Sequence, residues 1–290
     1  MNLKTALEGK IPKDDIHQVS NSFEVIGDIA LIEVPKSITK HEKIIAKTLA
    51  EINNNINLIL SKIQDVEGTY RVPKYNIVFE KELTRDFSWV PKNLRPTEKT
   101  ETVHKENGIR LLIDPTKAYF SEKLSYERNR IKETINDNDS VLVMFAGMGP
   151  FPIVIAKNKN IKLDAVEINP QGIKYFKKNV ELNKLENKIT VYEGDVSKIV
   201  PKLEDKYNTI VMPAPKNADD FLDIALDKIK IGGRIHLYTF LPDEEIAKIT
   251  RKLTERCKKF GHDIKIELVR KCGNIGPFHY RVVVDFKVLN

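Results

Sequence analysis

The stretch best equipped for chemistry is Val141-Leu-Val-Met-Phe-Ala-Gly-Met-Gly-Pro150. An apolar run leads into a turn holding Gly147 and Gly149, and a helix-compatible stretch from Phe151 to Asn158 follows. A buried strand, a glycine turn and a helix N-terminus in that order let backbone amides approach a ligand closely, because glycine has no Cβ in the way. A second apolar run, Leu163-Asp-Ala-Val-Glu-Ile-Asn-Pro170, ends in Glu167, whose carboxylate can accept both hydroxyls of a ribose. Tyr192-Glu-Gly-Asp195 sets another acid at the end of a third strand, placed to meet an adenine amino group. Ile210-Val-Met-Pro-Ala-Pro215 ends a fourth strand in a proline-rich turn. The third glycine of the dinucleotide fingerprint is missing, which disfavours a nicotinamide cofactor.

These groups need a scaffold that brings several strand ends to one edge. From Ser140 onward, strands and helices alternate strictly. Strands are predicted near 141–146, 163–168, 189–193, 208–212, 231–240, 263–271 and 277–288, with helices over 151–158, 170–183, 217–229 and 243–260. Such alternation means parallel strands joined by helical crossovers. Only Lys271-Cys-Gly-Asn-Ile-Gly276 separates the last two strands, so they are predicted to be an antiparallel hairpin. The order of glycine turn, ribose acid, adenine acid and proline turn is similar to that of S-adenosylmethionine methyltransferases. The cofactor this implies is S-adenosyl-L-methionine. A ligand-free or nucleotide-binding doubly wound domain is the alternative.

Residues 1–22 are polar and weakly patterned. Phe23 to Val34 is predicted to be a strand or hairpin. A helix follows to Ile52, with Thr39 as its N-cap and Ile44, Ile45, Thr48, Leu49 and Ile52 on one face. Further strands are expected at Ile56–Ile63, Glu67–Val72 and Tyr75–Glu80. Residues 1–115 therefore form an α+β domain and residues 116–290 a second, α/β domain. Lys81 to Thr100 is irregular; Trp89 with Arg85, Lys92 and Arg95 suggests either a nucleic-acid contact or a loop anchor. A strand at Ile109–Asp114, a short strand at Tyr119 and a helix capped by Ser121 complete this middle stretch.

Net charge is +7 among 290 residues, which suits an anionic partner such as nucleic acid or simply a lysine-rich surface. Apolar residues make up 41%, enough for a sizeable core, yet no run approaches the about 20 residues that span a bilayer. With no signal-peptide core at the N-terminus, a cytoplasmic location is expected. Cys257 and Cys272 are isolated, which predicts reduced thiols and no metal cluster.

Five segments in order carry a resemblance to a known family: Glu67-Gly-x-Tyr-Arg71, His104-Lys-Glu-Asn-Gly108, Tyr119-Phe-Ser-x-x-Leu-x-x-Glu-Arg128, Met144-Phe-Ala-Gly-Met-Gly-Pro-Phe151 and Glu167-Ile-Asn-Pro170. Over roughly residues 23–290 the chain resembles the archaeal and eukaryotic tRNA (guanine-37-N1)-methyltransferases, which are related to the wyosine-pathway transferases. The resemblance implies a Rossmann-like class I S-adenosylmethionine methyltransferase domain with a seven-stranded sheet, its last strand antiparallel, behind a smaller α+β domain that binds tRNA. It implies methylation of guanine-37 beside the anticodon; a monomer without membrane attachment is expected. Glu127 then takes the N1 proton, and Arg71 steadies negative charge on O6. Cofactor contacts fall to Arg128, Phe145, Ala146, Gly147 and Gly149. Glu167, Ile168, Asp195, Pro213 and Pro215 complete them. Tyr119, Lys123 and His104 face the substrate.

The chemistry is coherent by itself. Guanine N1 is protonated at neutral pH, so a base must remove its proton as the lone pair attacks a sulfonium methyl, and a cation must stabilise O6. The N1 edge is hidden in a base pair, so the base must be unpaired or flipped. Without the resemblance, Glu127 reads as a solvated helix carboxylate pairing with Arg128 or Arg130, and Arg71 as a surface strand arginine. Four departures from the family pattern stand out. Val143 replaces an acid, Pro213 replaces an asparagine, and Glu122-Lys123 replaces Pro-Arg. Finally, 81–96 holds an insertion while the small elbow-reading domain is missing or reduced. The rival readings are aminocarboxypropyl transfer or methylation of a tricyclic wyosine precursor at the same nucleotide, and a non-catalytic RNA-binding protein.

Overall fold

The computed structural model describes residues 2–67, 70, 72–81, 85–213 and 218–290. They form two compact units, residues 1–106 with 110–122, and residues 107–109 with 123–290.

The first unit begins with two short helices, α1 (Leu3–Ala6) and α2 (Lys13–Gln18). Leu3 and Ile16 on them and Leu7 and Ile11 between them are buried in its core, an order that the polar composition of 1–22 hides. β1 (Glu24–Ile26) turns back as β2 (Ile29–Ile32), and α3 (Glu42–Ile52) crosses over to β3 (Leu58–Glu67) in parallel. β4 (Val72–Glu80) closes a sheet in the order β1-β2-β3-β4. Ile45, Ala46, Leu49 and Ala50 line the buried face of α3. Thr39 does not cap it. Its hydroxyl donates to Pro35 and Lys36 carbonyls inside a 3-10 turn (Lys36–His41), and the α-helix starts after that turn. β5 (Thr102–Glu106) and β6 (Ile109–Ile113) make a separate two-stranded sheet. Asn107 and Gly108 between them both have positive φ, which a two-residue hairpin turn requires.

The basic loop of this unit is pinned rather than presented. Arg85 pairs with Asp28 and donates to the Lys99 carbonyl, while Arg95 donates to the carbonyls of Val90 and Ser88. The cations at Trp89 are instead Lys105, 3.8 Å from the ring centroid, and Arg110, 6.0 Å away. Arg85 and Arg95 therefore act as loop anchors, which corrects the expected grouping with Trp89.

In the second unit, α4 (Ser125–Glu133) precedes the alternating run. That run is β7 (Ser140–Met144), α5 (Pro150–Ala156), β8 (Lys162–Glu167), α6 (Pro170–Asn183), β9 (Ile189–Glu193), α7 (Val196–Ile199), β10 (Tyr207–Met212) and α8 (Leu222–Lys228). β11 (Ile229–Pro242), α9 (Asp243–Ile246), α10 (Ile249–Lys259), β12 (Ile264–Gly276) and β13 (His279–Val288) follow. The strand order is β12-β13-β11-β10-β7-β8-β9, and β13 runs antiparallel to both neighbours. This is the expected seven-stranded, doubly wound sheet. The strand order reverses between β7 and β10, so the cleft outside their carboxyl ends is where a ligand belongs.

Local details differ. The final turn is Pro277-Phe278, not 271–276, because β12 absorbs its extra residues in three register shifts against β13. Tyr119 lies in no strand, and the N-cap position of α4 is Leu124 rather than Ser121, since a 3-10 turn (Glu122–Leu124) runs directly into that helix. Val143 is fully buried between Val211 of β10 and Ala165 of β8, so an apolar residue suits the position. Both cysteines are free.

Candidate active site

β7 runs as an uninterrupted apolar strand into the glycine turn. Phe145, the first residue after it, has φ 61°. A bulky residue in the left-handed region is strained, and such strain collects at ligand sites. Gly147 (φ 60°) and Gly149 (φ 85°) follow, and Gly149 is the N-cap of α5, with Pro150 in its first turn. A Cβ at Gly149 would lie 2.0 Å from the Phe176 ring of α6. Its glycine therefore serves packing between α5 and α6 as well as the turn. Gly149→Ala should lower stability by roughly 2–4 kcal/mol, from positive φ plus overpacking, read as a fall in the thermal midpoint.

Glu167 ends β8 and fixes the turn. One oxygen accepts the Gly147 amide at 2.6 Å and the other the Asn169 amide at 2.7 Å. Burial pushes its carboxyl above the usual glutamate range even though the Asn169 and Gly147 amides pull the other way. Each carboxylate oxygen has a further lone pair, so the group can still accept two ribose hydroxyls. Asp195 follows the end of β9 after Gly194 and caps α7, accepting both the amide and the hydroxyl of Ser197 on Oδ1. Those bonds hold it below the ordinary aspartate range. Ala146 is buried, Ile168 half-buried, and Phe145 packs edge-on against Phe221 at 5.1 Å. Pro213 is half-buried at the end of β10, whereas Pro215 lies outside the described residues. The set fits an adenosyl cofactor: a close-approach turn, one acid for the ribose and a second beyond it.

Glu127 is not a solvated carboxylate. It sits on α4 at 2% exposure. Arg130 donates to its Oε2 from Nε at 3.0 Å, with Nη2 at 2.9 Å, and the Tyr238 hydroxyl of β11 donates to the same oxygen at 3.1 Å. Oε1 is buried with no hydrogen bond; Arg270 Nη1 lies 3.4 Å away, out of line for one. Phe151 ties this carboxylate to the glycine turn. Its ring meets Tyr238 edge-on at 5.7 Å, and the Arg128 guanidinium stands 5.9 Å from its centroid. Arg128 itself is buried. One carboxylate oxygen is thus saturated, and the other is left open beside the cofactor turn.

Lys123 is exposed in the 3-10 turn just before α4. His104 and Tyr119 belong to the first unit. His104 is buried there: Nδ1 accepts the Gly27 amide at 3.3 Å and the ring packs edge-on against Phe120. Tyr119 is 42% exposed. Arg71 lies outside the described residues. Sequence reasoning missed Tyr238, Arg270, Asp285 and His236, which stand on β11, β12 and β13. Only the helix spacing of Glu127 and Arg130 was visible as a signal.

A doubly wound sheet with a reversed last strand, a glycine turn at its switch point and an acid closing the second strand define a class I S-adenosylmethionine methyltransferase. Within that class the chain belongs to the TRM5/TYW2 methyltransferase family, whose methyltransferase domain matches residues 102–267. The TYW2 N-terminal domain matches residues 3–79. The tRNA (guanine(37)-N(1))-methyltransferase Trm5b of Pyrococcus abyssi is 34% identical over 280 residues, 96% of this chain and 78% of that protein. The tRNA 4-demethylwyosine(37)-methyltransferase Taw21 of Saccharolobus solfataricus is 32% identical over 275 residues, 94% of this chain and 96% of that protein. Among solved structures, the complex of aTrm5 with tRNALeu is similar with TM-score 0.81 and 32% identity, covering 100% of this chain and 78% of that one. The expected enzyme class and S-adenosylmethionine cofactor are borne out by this membership.

Proposed function

We propose that this enzyme methylates N1 of guanine-37 in tRNA, with Glu127 as general base. The observation that carries the reading is the asymmetric carboxylate of Glu127: among the described residues Oε2 accepts two hydrogen bonds and a further Arg130 contact, whereas Oε1 accepts no hydrogen bond, with Arg270 Nη1 3.4 Å away. The saturated oxygen fixes the group, and the open one is free to accept the N1 proton. Bound S-adenosylmethionine supplies an electrophilic methyl. Glu167 and Asp195 hold its ribose and adenine ends, and the turn from Phe145 to Gly149 gives close backbone contact, flanked by Arg128, Ile168, Pro213 and Pro215. Arg71 stabilises charge on O6, and Tyr119, Lys123 and His104 contact or frame the nucleotide. Residues 1–115 form the tRNA-binding domain and 116–290 the catalytic one. The net charge of +7 suits the anticodon arm. The enzyme is expected to act in the cytoplasm as a monomer.

A second reading is methylation of a tricyclic wyosine precursor at the same nucleotide. It is favoured by the match of residues 3–79 to a domain named for TYW2 and by the likeness to Taw21. Aminocarboxypropyl transfer is the third possibility in this family. Nucleoside mass spectrometry of an unmodified G37 tRNA, incubated with enzyme and S-adenosylmethionine, separates them. 1-Methylguanosine at position 37 is the expected product. No product there, with reaction on tRNA carrying the tricyclic precursor, would replace the first reading by the second.

A further inference from the structure

We propose that Asp285 is a positioning residue for the Glu127 carboxylate, acting through Arg130 and steadied from behind by His236. The inference rests on the reading of Glu127 as the base.

Arg130 is shared between two carboxylates. Its Nε and Nη2 face Glu127, while Nη1 donates to Asp285 Oδ2 at 2.5 Å and Nη2 stands 3.5 Å from Oδ1. Asp285 is buried on β13, and His236 of β11 reaches its Oδ1 from Nδ1 at 2.7 Å. A carboxylate can only accept, so that Nδ1 carries the proton. On the far side, His236 Nε2 meets the Thr134 hydroxyl at 3.3 Å. His236 is completely buried. A line of side chains thus runs from the sheet interior to the open oxygen of Glu127.

Its physical sense lies in charge. An arginine paired to Glu127 alone would stabilise the carboxylate and make it a poor base. Asp285 supplies a second anion, so the guanidinium stays neutralised when Glu127 takes a proton. Burial pushes Asp285 upward, but His236 and Arg130 outweigh it and keep the group below the usual aspartate range, hence ionised. The same contacts fix the guanidinium plane, which fixes the direction of Oε1. The other groups facing Glu127 are Tyr238 from β11 and Arg270 and Cys272 from β12. Burial pushes the Cys272 thiol up to about 12 and the Tyr238 hydroxyl well up, so both are neutral, and Arg270 is half-exposed. Asp285 is therefore the anion that sets the balance at Arg130.

The test compares Asp285→Asn, Glu127→Gln and the double variant in single-turnover methyl transfer. Asp285→Asn is expected to slow transfer about 10–100-fold, with the cofactor Kd within about twofold, and to add less than about threefold in the Glu127→Gln background. In a pH series, the acidic limb of the single-turnover rate should lie at lower pH in Asp285→Asn than in the parent. Should Asp285→Asn fail to fold, Arg130→Lys, which cannot fork between both carboxylates, is expected to give the same pattern. A rate within about threefold of the parent, a full multiplicative loss in the double variant, or an unmoved acidic limb of the pH profile would each overturn the proposal. Full activity of Glu127→Gln would instead remove the base assignment, whereas a slow Glu127→Gln with an unaffected Asp285→Asn would sink the Asp285 proposal alone.

Discussion

Glu127→Gln is expected to lower the single-turnover rate of methyl transfer by about 10²–10⁴-fold, the span of a general base. Cofactor affinity should stay within about twofold, because the hydrogen bonds and ion pairs of Glu127 among the described residues go to Arg130, Tyr238 and Arg270, none of which is assigned to the cofactor. The fold should tolerate the change for a specific reason. The hydrogen bonds to Glu127 converge on Oε2, so a glutamine can keep its carbonyl there and place its amide where Oε1 stood, facing Arg270 only at ion-pair distance. Arg130 remains paired to Asp285. Rapid-quench assays with excess enzyme measure the rate, and calorimetry the affinity. Unchanged single-turnover kinetics would take Glu127 out of the base role.

Glu167→Gln has the opposite signature. Both of its oxygens accept backbone amides, at 2.6 and 2.7 Å. A glutamine has one acceptor, so its amide must face an N–H, and a buried donor loses its partner at about 1–3 kcal/mol. The glycine turn shifts and the ribose contact weakens. The cofactor Kd should rise at least about 30-fold, which corresponds to roughly 2 kcal/mol. A Kd within about threefold of the parent by calorimetry would detach Glu167 from the cofactor.

The same residue gives a pH dependence. Burial raises its folded-state pKa above that of the unfolded chain. The folded apo-protein then holds the proton more tightly. Glu167's own contribution to stability is full below the unfolded value and is lost as pH rises through the raised folded value. Cofactor binding wants the carboxylate, so affinity should fall as pH drops through that raised value. Titration calorimetry across a pH series, with Glu167→Gln as the control lacking the transition, checks this.

Much of this protein is local in its sequence. The apolar run Val141–Met144 could only be a strand buried on both faces, and Gly147 and Gly149 could only mark a turn at its end. Glu167 and Asp195 follow at strand ends, so alternation alone put them on one edge of the sheet. What the sequence misplaced was also local. Thr39 looks like a cap, but it lies inside a 3-10 turn, where its hydroxyl bonds preceding carbonyls; Ser121 stands just before another 3-10 turn that displaces the start of α4 to Ser125. The short helices at 3–6 and 13–18 have too few residues to show a period, and only packing against Ile38 and Leu49 in one core orders them.

The state of Glu127 was beyond any local reading. Helix spacing allowed a pair with Arg130, and the structure has that pair. Whether the pair is solvated or buried depends on residues 111 and 155 positions away, Tyr238 and Asp285. The sequence by itself determined the sheet, its crossovers and the acids at its edge, because hydrophobic period and glycine placement are properties of neighbouring residues. Only the tertiary structure decided which carboxylate oxygen stays open, because that choice is made by donors that antiparallel pairing of the last strands brings against α4, and dielectric and hydrogen-bond geometry exist only once those strands are packed.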